Sequence, residues 1–320
     1  MMLAEGSADA VTEAPGYPEA PGSTRTEGDS PASATATTRD ATRMRMLSVE
    51  VDGHRVRFGV AGTGPSALFL HGWGLRPTGY RRPIEAMARA GCRVVAPALP
   101  GFGGTPELPP DQRNFAGLGA WVGRFLDAVE VGDLALVAGH SFGGGVSTAF
   151  VDQQPERVAS LLLVNAIGSP TWMLLPDEVR TMVQRPMWDW GRHFGSDLLH
   201  SPKTLRVLPM LLEDFIPNLM SNPVGMFRTS MTIRRADLVA EVEGIAGRGV
   251  PVSVAWSDRD GLVPRSAFDD LRHAAGTEGT VVEGAHAWLM ADPGAFGDLV
   301  ISALVDGRGR RPSGGAIPLG

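Results

Sequence analysis

Short apolar runs alternate with longer amphipathic segments along most of the chain. The runs have the length of β-strands, whereas the segments between them repeat apolar residues with a helical period. Strands joined by crossover helices form a mostly parallel sheet, so this alternation predicts an α/β fold. The predicted strands are residues 47–51, 55–60, 67–70, 93–96, 134–138, 158–164, 250–256 and 280–283. The predicted helices are residues 81–90, 115–129, 143–153, 265–275 and 293–304.

The alternation stops in three places, and these divide the chain into predicted domains. Residues 1–44 and 307–320 are rich in small, polar and charged side chains, and we expect disordered tails because little apolar surface offsets the entropy of ordering. Residues 168–244 contain no clear strand but many Met, Trp, Phe, Leu and Pro, which predicts a helical insertion. It should lie above the carboxyl ends of the strands, where open α/β sheets bind ligands. The predicted core is therefore residues 45–167 and 245–306.

Composition narrows the functional class. The 320 residues fit one large α/β domain with an insertion. With 43% hydrophobic residues and a net charge of -6, we expect a globular protein that binds neither nucleic acid nor an anionic membrane. Because neither a secretory-signal profile nor a membrane-spanning run is seen in the sequence, we expect the protein in the cytoplasm. A single cysteine, Cys92, excludes an internal disulfide. Because the sequence has no apolar run of membrane-spanning length, metal-ligand spacing or nucleotide-binding glycine motif, no membrane span, metal or cofactor is expected. The oligomeric state is left open.

Residues 139–143 read Gly-His-Ser-Phe-Gly and match the Gly-x-Ser-x-Gly motif of a nucleophile elbow. An apolar predicted strand precedes the motif and an apolar predicted helix follows it, which is the context the motif requires. A sharp turn between the two strains the serine backbone, and the glycines avoid collisions with the flanking strand and helix. We therefore predict Ser141 as a nucleophile, the alternative being an ordinary glycine-rich helix start.

A serine hydroxyl needs a base within reach and an acid that orients the base. His286 follows the last predicted strand and is the expected base. The acid should follow the preceding strand, where Asp258 and Asp260 are both available. The resulting order along the chain, serine, then acid, then histidine, is the order found where the serine lies on a nucleophile elbow of an α/β sheet. Of the other histidines, His71 is expected to bond loop backbone and His140 points the wrong way; His54, His193, His200 and His273 are expected at the surface.

The glycine-rich segment His71-Gly72-Trp73-Gly74 follows the third predicted strand. Its backbone N–H groups can converge on a developing oxyanion. We predict that the oxyanion hole consists of the backbone N–H groups of Trp73 and Phe142, the second being the residue after the nucleophile.

With these motifs the chain resembles α/β-hydrolases of the branch that contains esterases, epoxide hydrolases and dehalogenases and carries a helical cap. The resemblance implies an eight-stranded, mostly parallel sheet with helices on both faces and a helical cap at residues 168–244. It also places the catalytic acid on Asp260, because the family motif Trp-Gly-x-x-Asp-x-x-Val-Pro aligns with residues 256–264. The residues that carry it are 71–74, 100–103, 139–144, 256–264 and 284–286. Four residues beside the catalytic groups depart from frequent family choices: Ala98, Ser257, Ala285 and Ala287.

The nucleophile narrows the reaction class. Family members that open epoxides or displace halide use an aspartate at the elbow, so Ser141 disfavours those activities. A serine suits acyl transfer to water, and the leading hypothesis is hydrolysis of a carboxylic ester or thioester through an acyl-enzyme. Hydrolysis of a C–C bond in a vinylogous diketone, or a ligand-sensing receptor on the same fold, are the alternatives.

The predicted substrate is a medium-sized apolar small molecule. The insertion supplies flexible methionines and flat aromatic rings that can line a pocket, although most of them are expected to form the insertion's own core. The predicted pocket residues are Trp172, Met173, Trp188, Phe215, Met226 and, after the catalytic histidine, Trp288.

Overall fold

The computed structural model describes residues 41–170 and 208–310, and a sheet of eight strands lies at the centre of this part. The spatial order of the strands is β1-β2-β4-β3-β5-β6-β7-β8. β2 pairs antiparallel with β1 and β4, and every pairing from β4 to β8 is parallel. The strands are β1 Arg45–Val51, β2 His54–Ala61, β3 Ser66–Leu70, β4 Arg93–Pro97, β5 Leu136–His140, β6 Leu161–Val164, β7 Val252–Ser257 and β8 Thr280–Val282.

Helices cover both faces of this sheet, as expected for parallel strands buried on both sides. Leu68 and Leu70 of β3 face one apolar core, whereas Ala67 and Phe69 face the other, because successive side chains of a strand point to opposite faces. The described helices are α1 Arg81–Arg89, α2 Phe115–Ala128, α3 Phe142–Gln153, α4 Leu208–Ser221, α5 Pro223–Arg234, α6 Val239–Gly247, α7 Arg265–Ala274, α8 Trp288–Ala291 and α9 Pro293–Asp306. α2 and α3 pack on the first core, and α1 and α9 on the second.

The predicted strands and helices all occur, and the predicted fold class is confirmed. The hairpin between β1 and β2 turns at Asp52 and Gly53, which both have positive φ angles of 53° and 74°, as a tight Asp-Gly turn requires. α8 was not predicted, because four residues are too short to show a helical period.

Both predicted tails extend too far into the fold. Met44 is buried, and its backbone N–H donates to Glu85, so the folded part begins before residue 45. At the other end, the guanidinium of Arg310 donates to the backbone carbonyls of Val158, Arg248 and Pro155. Composition cannot show such contacts, because the sequence does not distinguish an arginine that binds three carbonyls from one exposed to solvent.

The predicted insertion, residues 168–244, lies only partly in the described residues, which contain α4, α5 and α6 of it. Its predicted end at Gly244 falls inside α6, whose Val242 and Ile245 are fully buried in the first core. α6 therefore packs as part of the sheet's helical cover. Within residues 41–170 and 208–310, no helix combines the length and apolarity that a membrane crossing needs.

Candidate active site

Ser141 lies between β5 and α3, at a sharp turn of the chain. Its φ and ψ angles are 55° and -119°, a strained region for a residue with a side chain. The turn is held from three sides: the Ser141 N–H donates to Val164 at 3.0 Å, and its carbonyl accepts from Gly144 and Ile167. The predicted elbow geometry is therefore present.

The two motif glycines keep the elbow free of collisions. A Cβ atom at Gly143 would lie 2.2 Å from the carbonyl oxygen of Leu70, and one at Gly139 would lie 2.3 Å from the Ser147 hydroxyl oxygen. Any side chain at these positions would push α3 away from β3 and β5. The close approach of helix and strand explains why glycine occupies both positions.

The predicted base and acid meet at the carboxyl edge of the sheet. Asp260 Oδ2 lies 2.8 Å from His286 Nδ1, and the side chain of Asp260 has no solvent exposure. The other candidate acid, Asp258, is half exposed and accepts the backbone N–H of Gly284 instead. The structure thus brings Asp260, and not Asp258, to the histidine.

Asp260 is held as a carboxylate. Burial by itself raises its pKa, but the His286 charge and hydrogen bonds from His286, Asn165 and Val263 outweigh burial and keep the pKa below its ordinary value. The second oxygen accepts the backbone N–H groups of Leu262 and Val263 at 2.7 and 2.8 Å. A fixed negative charge therefore faces Nδ1 of His286, so the predicted role of this histidine as a base would fall to Nε2.

Asn165 is a site residue that the sequence reasoning missed. It follows β6 with a positive φ of 44°, and its Nδ2 donates to Asp260 at 2.5 Å and to the Ser257 hydroxyl at 2.7 Å. Its Oδ1 accepts the indole N–H of Trp288 at 2.8 Å. The sequence did contain a signal for it: a polar residue directly after a buried strand, at the sheet edge where α/β folds bind ligands.

His140 is buried beside His286, the predicted base. The ring centroids of His140 and His286 lie 4.7 Å apart. His140 Nε2 donates to the backbone carbonyl of His286 at 3.0 Å, and Nδ1 accepts from the Tyr80 hydroxyl at 2.7 Å. Burial, and secondly the nearby His286, lower the pKa of His140 to about 3. A neutral His140 therefore fixes the main chain at His286.

The loop from His71 to Arg76, called the oxyanion loop below, borders Ser141. A Cβ at Gly72 would lie 3.5 Å from the Cβ of Ser141. The Gly72 N–H donates to the Tyr80 hydroxyl at 3.0 Å, and its carbonyl accepts from His71 Nδ1 at 2.9 Å. His71 thus bonds loop backbone, as expected. The neighbouring N–H of Trp73 and the N–H of Phe142, which as first residue of α3 has no acceptor within the helix, remain the predicted oxyanion donors.

The predicted pocket residues separate into three groups. Trp172, Met173 and Trp188 lie outside the described residues. Phe215 and Met226 pack on the oxyanion loop: the Phe215 ring lies 5.7 Å from that of Trp73, whose indole N–H donates to the Met226 carbonyl. Trp288 is buried against Phe296 and bonds Asn165, so its place is in the support of Asp260 and not on a pocket wall.

A small cavity, with a volume of about 30 Å³ for water-sized molecules, lies next to the elbow. Its apolar wall includes Phe142, and charged side chains of Glu107, Arg113 and Arg228 stand around it. Glu107 lies 3.6 Å from Arg113 and 3.4 Å from Arg228. The remaining lining residues are Pro100, Leu108, Leu118, Thr229 and Thr232.

Among the described residues, the remaining histidines and Cys92 give no further candidates for this site. His54 and His273 are exposed, as predicted, and His193 and His200 lie outside the described residues. Burial raises the pKa of the Cys92 thiol to about 11, which suits an inert core residue. Among residues 41–170 and 208–310, no group of three or more His, Cys, Asp or Glu is placed to hold a metal ion.

Comparison with known proteins decides the family. A family model described as alpha/beta hydrolase fold matches residues 65–206. The pimeloyl-[acyl-carrier protein] methyl ester esterase of Aromatoleum aromaticum is 31% identical over 254 residues, which cover 76% of this chain and 87% of the relative. The chain belongs to the α/β-hydrolase family. This α/β-hydrolase is also 27% identical to a 2-hydroxy-6-oxononadienedioate/2-hydroxy-6-oxononatrienedioate hydrolase of Escherichia coli, over 83% of this chain and 96% of the relative.

Solved structures show the same fold for this α/β-hydrolase. An enol-lactonase from Burkholderia xenovorans superposes with a TM-score of 0.66 at 20% identity, covering 81% of this chain and 99% of that one. A bromoperoxidase from Bacillus anthracis gives a TM-score of 0.65 at 16% identity, covering 82% and 100%. The shared fold supports several reactions, so the chemistry must be argued from the site.

Proposed function

We propose that this α/β-hydrolase is a serine esterase that cleaves a carboxylic ester or thioester of a medium-sized apolar substrate in the cytoplasm. The observation that carries the proposal is the buried Asp260–His286 pair, 2.8 Å between Oδ2 and Nδ1, on the sheet edge that also bears the strained Ser141. A serine on such a turn with an oriented histidine is equipped for acyl transfer.

In the proposed reaction, His286 Nε2 takes the proton of the Ser141 hydroxyl while Oγ attacks the ester carbonyl. The tetrahedral oxyanion is stabilised by the backbone N–H groups of Trp73 and Phe142. His286 then gives its proton to the leaving alcohol or thiol, and the acyl-enzyme forms. In the second half, His286 activates a water molecule that releases the acid, while Asp260 stabilises the charged imidazole in both halves.

We infer that the cavity beside Phe142 receives the end of the acyl group. Leu108, Leu118 and Phe142 give it an apolar wall, which suits an alkyl or aromatic chain. A Leu118→Trp variant should fill the cavity and raise KM for longer acyl chains, while acetate esters are affected much less. Equal effects on esters of all chain lengths would place the acyl group elsewhere.

A matched pair of acid variants tests the mechanism. Asp260→Asn should lower kcat for p-nitrophenyl esters by about 10⁴-fold, because the histidine loses its orienting carboxylate. Asp258→Asn changes the same chemistry two residues away, where the carboxylate is half exposed, and should keep nearly full activity. Ser141→Ala should abolish both turnover and labelling by a fluorophosphonate. Unchanged ester turnover in Ser141→Ala would refute the proposal.

Hydrolysis of a C–C bond is the second candidate. It is supported by the Escherichia coli relative, which is a 2-hydroxy-6-oxononadienedioate/2-hydroxy-6-oxononatrienedioate hydrolase and aligns over 96% of its length. This reaction predicts that simple esters are inert, whereas a coloured dienoate loses its absorbance when the enzyme is added. Measuring both substrate types with the parent and Ser141→Ala separates the two candidates.

A further inference from the structure

Helix α4 buries polar residues beside Leu211 on the face that packs against the fold. Its polar residues Asp214 and Asn218 are buried, whereas Leu212, Ile216 and Met220 are exposed, Met220 to 77%. Surface helices normally bury an apolar stripe and expose the polar one. Buried polar groups are costly unless they are hydrogen-bonded. The partners of Asp214 and Asn218 should therefore explain why α4 docks in this orientation.

Asp214 binds the end of the oxyanion loop and the turn that follows it. Its carboxylate accepts the Nε of Arg76 at 2.6 Å, the Thr78 hydroxyl at 2.9 Å and the backbone N–H of Gly79 at 2.8 Å. The backbone N–H of Arg76 is a further donor, at 3.3 Å. A buried carboxylate with four donors is fully compensated, so Asp214 joins α4 to this turn.

A proline inside α4 strengthens the same junction. Pro217 has no N–H, so the carbonyl of Glu213, four residues earlier, lacks its helical donor. Arg76 Nη2 donates to that carbonyl at 3.3 Å. One arginine of the oxyanion loop thus serves both the Asp214 carboxylate and the carbonyl that Pro217 leaves open.

Asn218 binds the oxyanion loop on the other side of Trp73. Its Nδ2 donates to the Gly74 carbonyl at 2.9 Å, and its Oδ1 accepts the N–H of Gly103 at 2.9 Å. On the N-terminal side of Trp73, His71 binds the Gly72 carbonyl and so fixes the peptide between Gly72 and Trp73. The backbone that carries the Trp73 N–H is therefore held from the core before it and from α4 after it.

We propose that Asn218, supported by Asp214, is a positioning residue that aims the Trp73 N–H at the oxyanion. The inference rests on the proposed serine-esterase function, because the oxyanion exists only in that reaction. Asn218 touches neither substrate nor reacting atoms; it acts through the Gly74 carbonyl. When the amide of Asn218 is lost, Gly74 can rotate, and the donor then misses the position where charge develops.

The test is Asn218→Leu, which keeps the branched shape of the side chain and removes the hydrogen bonds to Gly74 and Gly103. Removing an oxyanion donor outright lowers kcat by roughly 10²–10³-fold, and a misaimed donor should cost about 10-fold in kcat with KM nearly unchanged. Affinity for a trifluoromethyl ketone, whose adduct carries the oxyanion, should fall by the same factor. Asp214→Asn keeps one acceptor oxygen and replaces the other with an NH2 group that cannot accept; it should show the same pattern to a smaller extent if the leucine variant fails to fold.

Asn222→Ala is the matched control. Asn222 lies four residues further on, accepts the Gly225 N–H at 2.9 Å and caps α5, so its loss weakens the same helix pair without touching the oxyanion loop. It should lower thermal stability and leave kcat and ketone affinity unchanged.

Two results would overturn the inference: unchanged kcat and ketone affinity in Asn218→Leu and Asp214→Asn, or equal losses in Asn222→Ala. Failure of the proposed function gives a different result. Ser141→Ala would then keep its ester turnover, whatever the effect of Asn218→Leu.

Discussion

Two buried histidines should make the folded protein sensitive to mild acid. His71 and His140 are fully or almost fully buried, and burial lowers their pKa values from 6.5 to about 4 and about 3. The unfolded chain binds a proton at each histidine near its ordinary pKa, but the folded chain does not. Their contribution to stability is therefore complete above the ordinary value of 6.5 and is lost as the pH falls toward the lowered values.

The magnitude follows from the two pKa values. Between about pH 7 and about pH 5, each histidine should lower the free energy of unfolding by about 2 kcal/mol, so the pair contributes about 4 kcal/mol. Asp260 adds nothing in this window, because a carboxylate with a lowered pKa loses its contribution only below its ordinary value of 3.8. The loss in mild acid is therefore assigned to the histidines.

Urea unfolding at both pH values measures this loss directly. His71→Gln and His140→Gln should each reduce the pH-dependent loss by about 2 kcal/mol, whatever they do to stability at neutral pH. His54→Gln, which removes an exposed imidazole, is the control and should leave the loss unchanged. If both glutamine variants lost as much stability in acid as the parent, the buried histidines would not be neutral in the fold, and the reasoning would fail.

Three further perturbations have defined outcomes. Asn165→Ala removes the bonds to Asp260 and Trp288, so steady-state kinetics should show a lower kcat with little change in KM. Gly143→Ala should cost about 3 kcal/mol of unfolding free energy through overpacking, measured by urea unfolding, while Gly132→Ala should be near neutral because nothing lies within 4 Å of its Cβ position. Cys92, with its pKa raised to about 11, should react with iodoacetamide only after the protein unfolds, and rapid labelling of the native protein would contradict its burial.

Much of the fold could be predicted because it depends on local patterns. The strand carrying Leu68 and Phe69 is apolar on both faces, which is typical of a parallel strand between helices, and the motif glycines identify the elbow at Ser141. The pairing of His286 with Asp260 followed from chain order at one sheet edge together with the family motif, and the structure brings these two side chains together.

Other features depend on contacts between residues far apart in sequence. Nothing local shows that Arg310 binds Val158, or that Asn165 supports Asp260, because each contact needs the tertiary fold. Trp288, two residues after the predicted catalytic histidine, was expected on a pocket wall, but its indole turns inward to Asn165. Sequence proximity to a catalytic residue does not determine the direction of a side chain.

The buried polar contacts of α4 also fix the position of this helix along its own axis. An apolar interface can slide and repack at modest cost. The hydrogen bonds of Asp214 and Asn218, which lie four residues apart, form in only one alignment of the helix. A slip of one turn, about 5.4 Å, would place the amide of Asn218 opposite Arg76 and Gly79, where a carboxylate now binds a guanidinium. The helix therefore has one docking register, and an insertion or deletion of a single residue before Leu208 would have to be absorbed upstream of α4 and not within it.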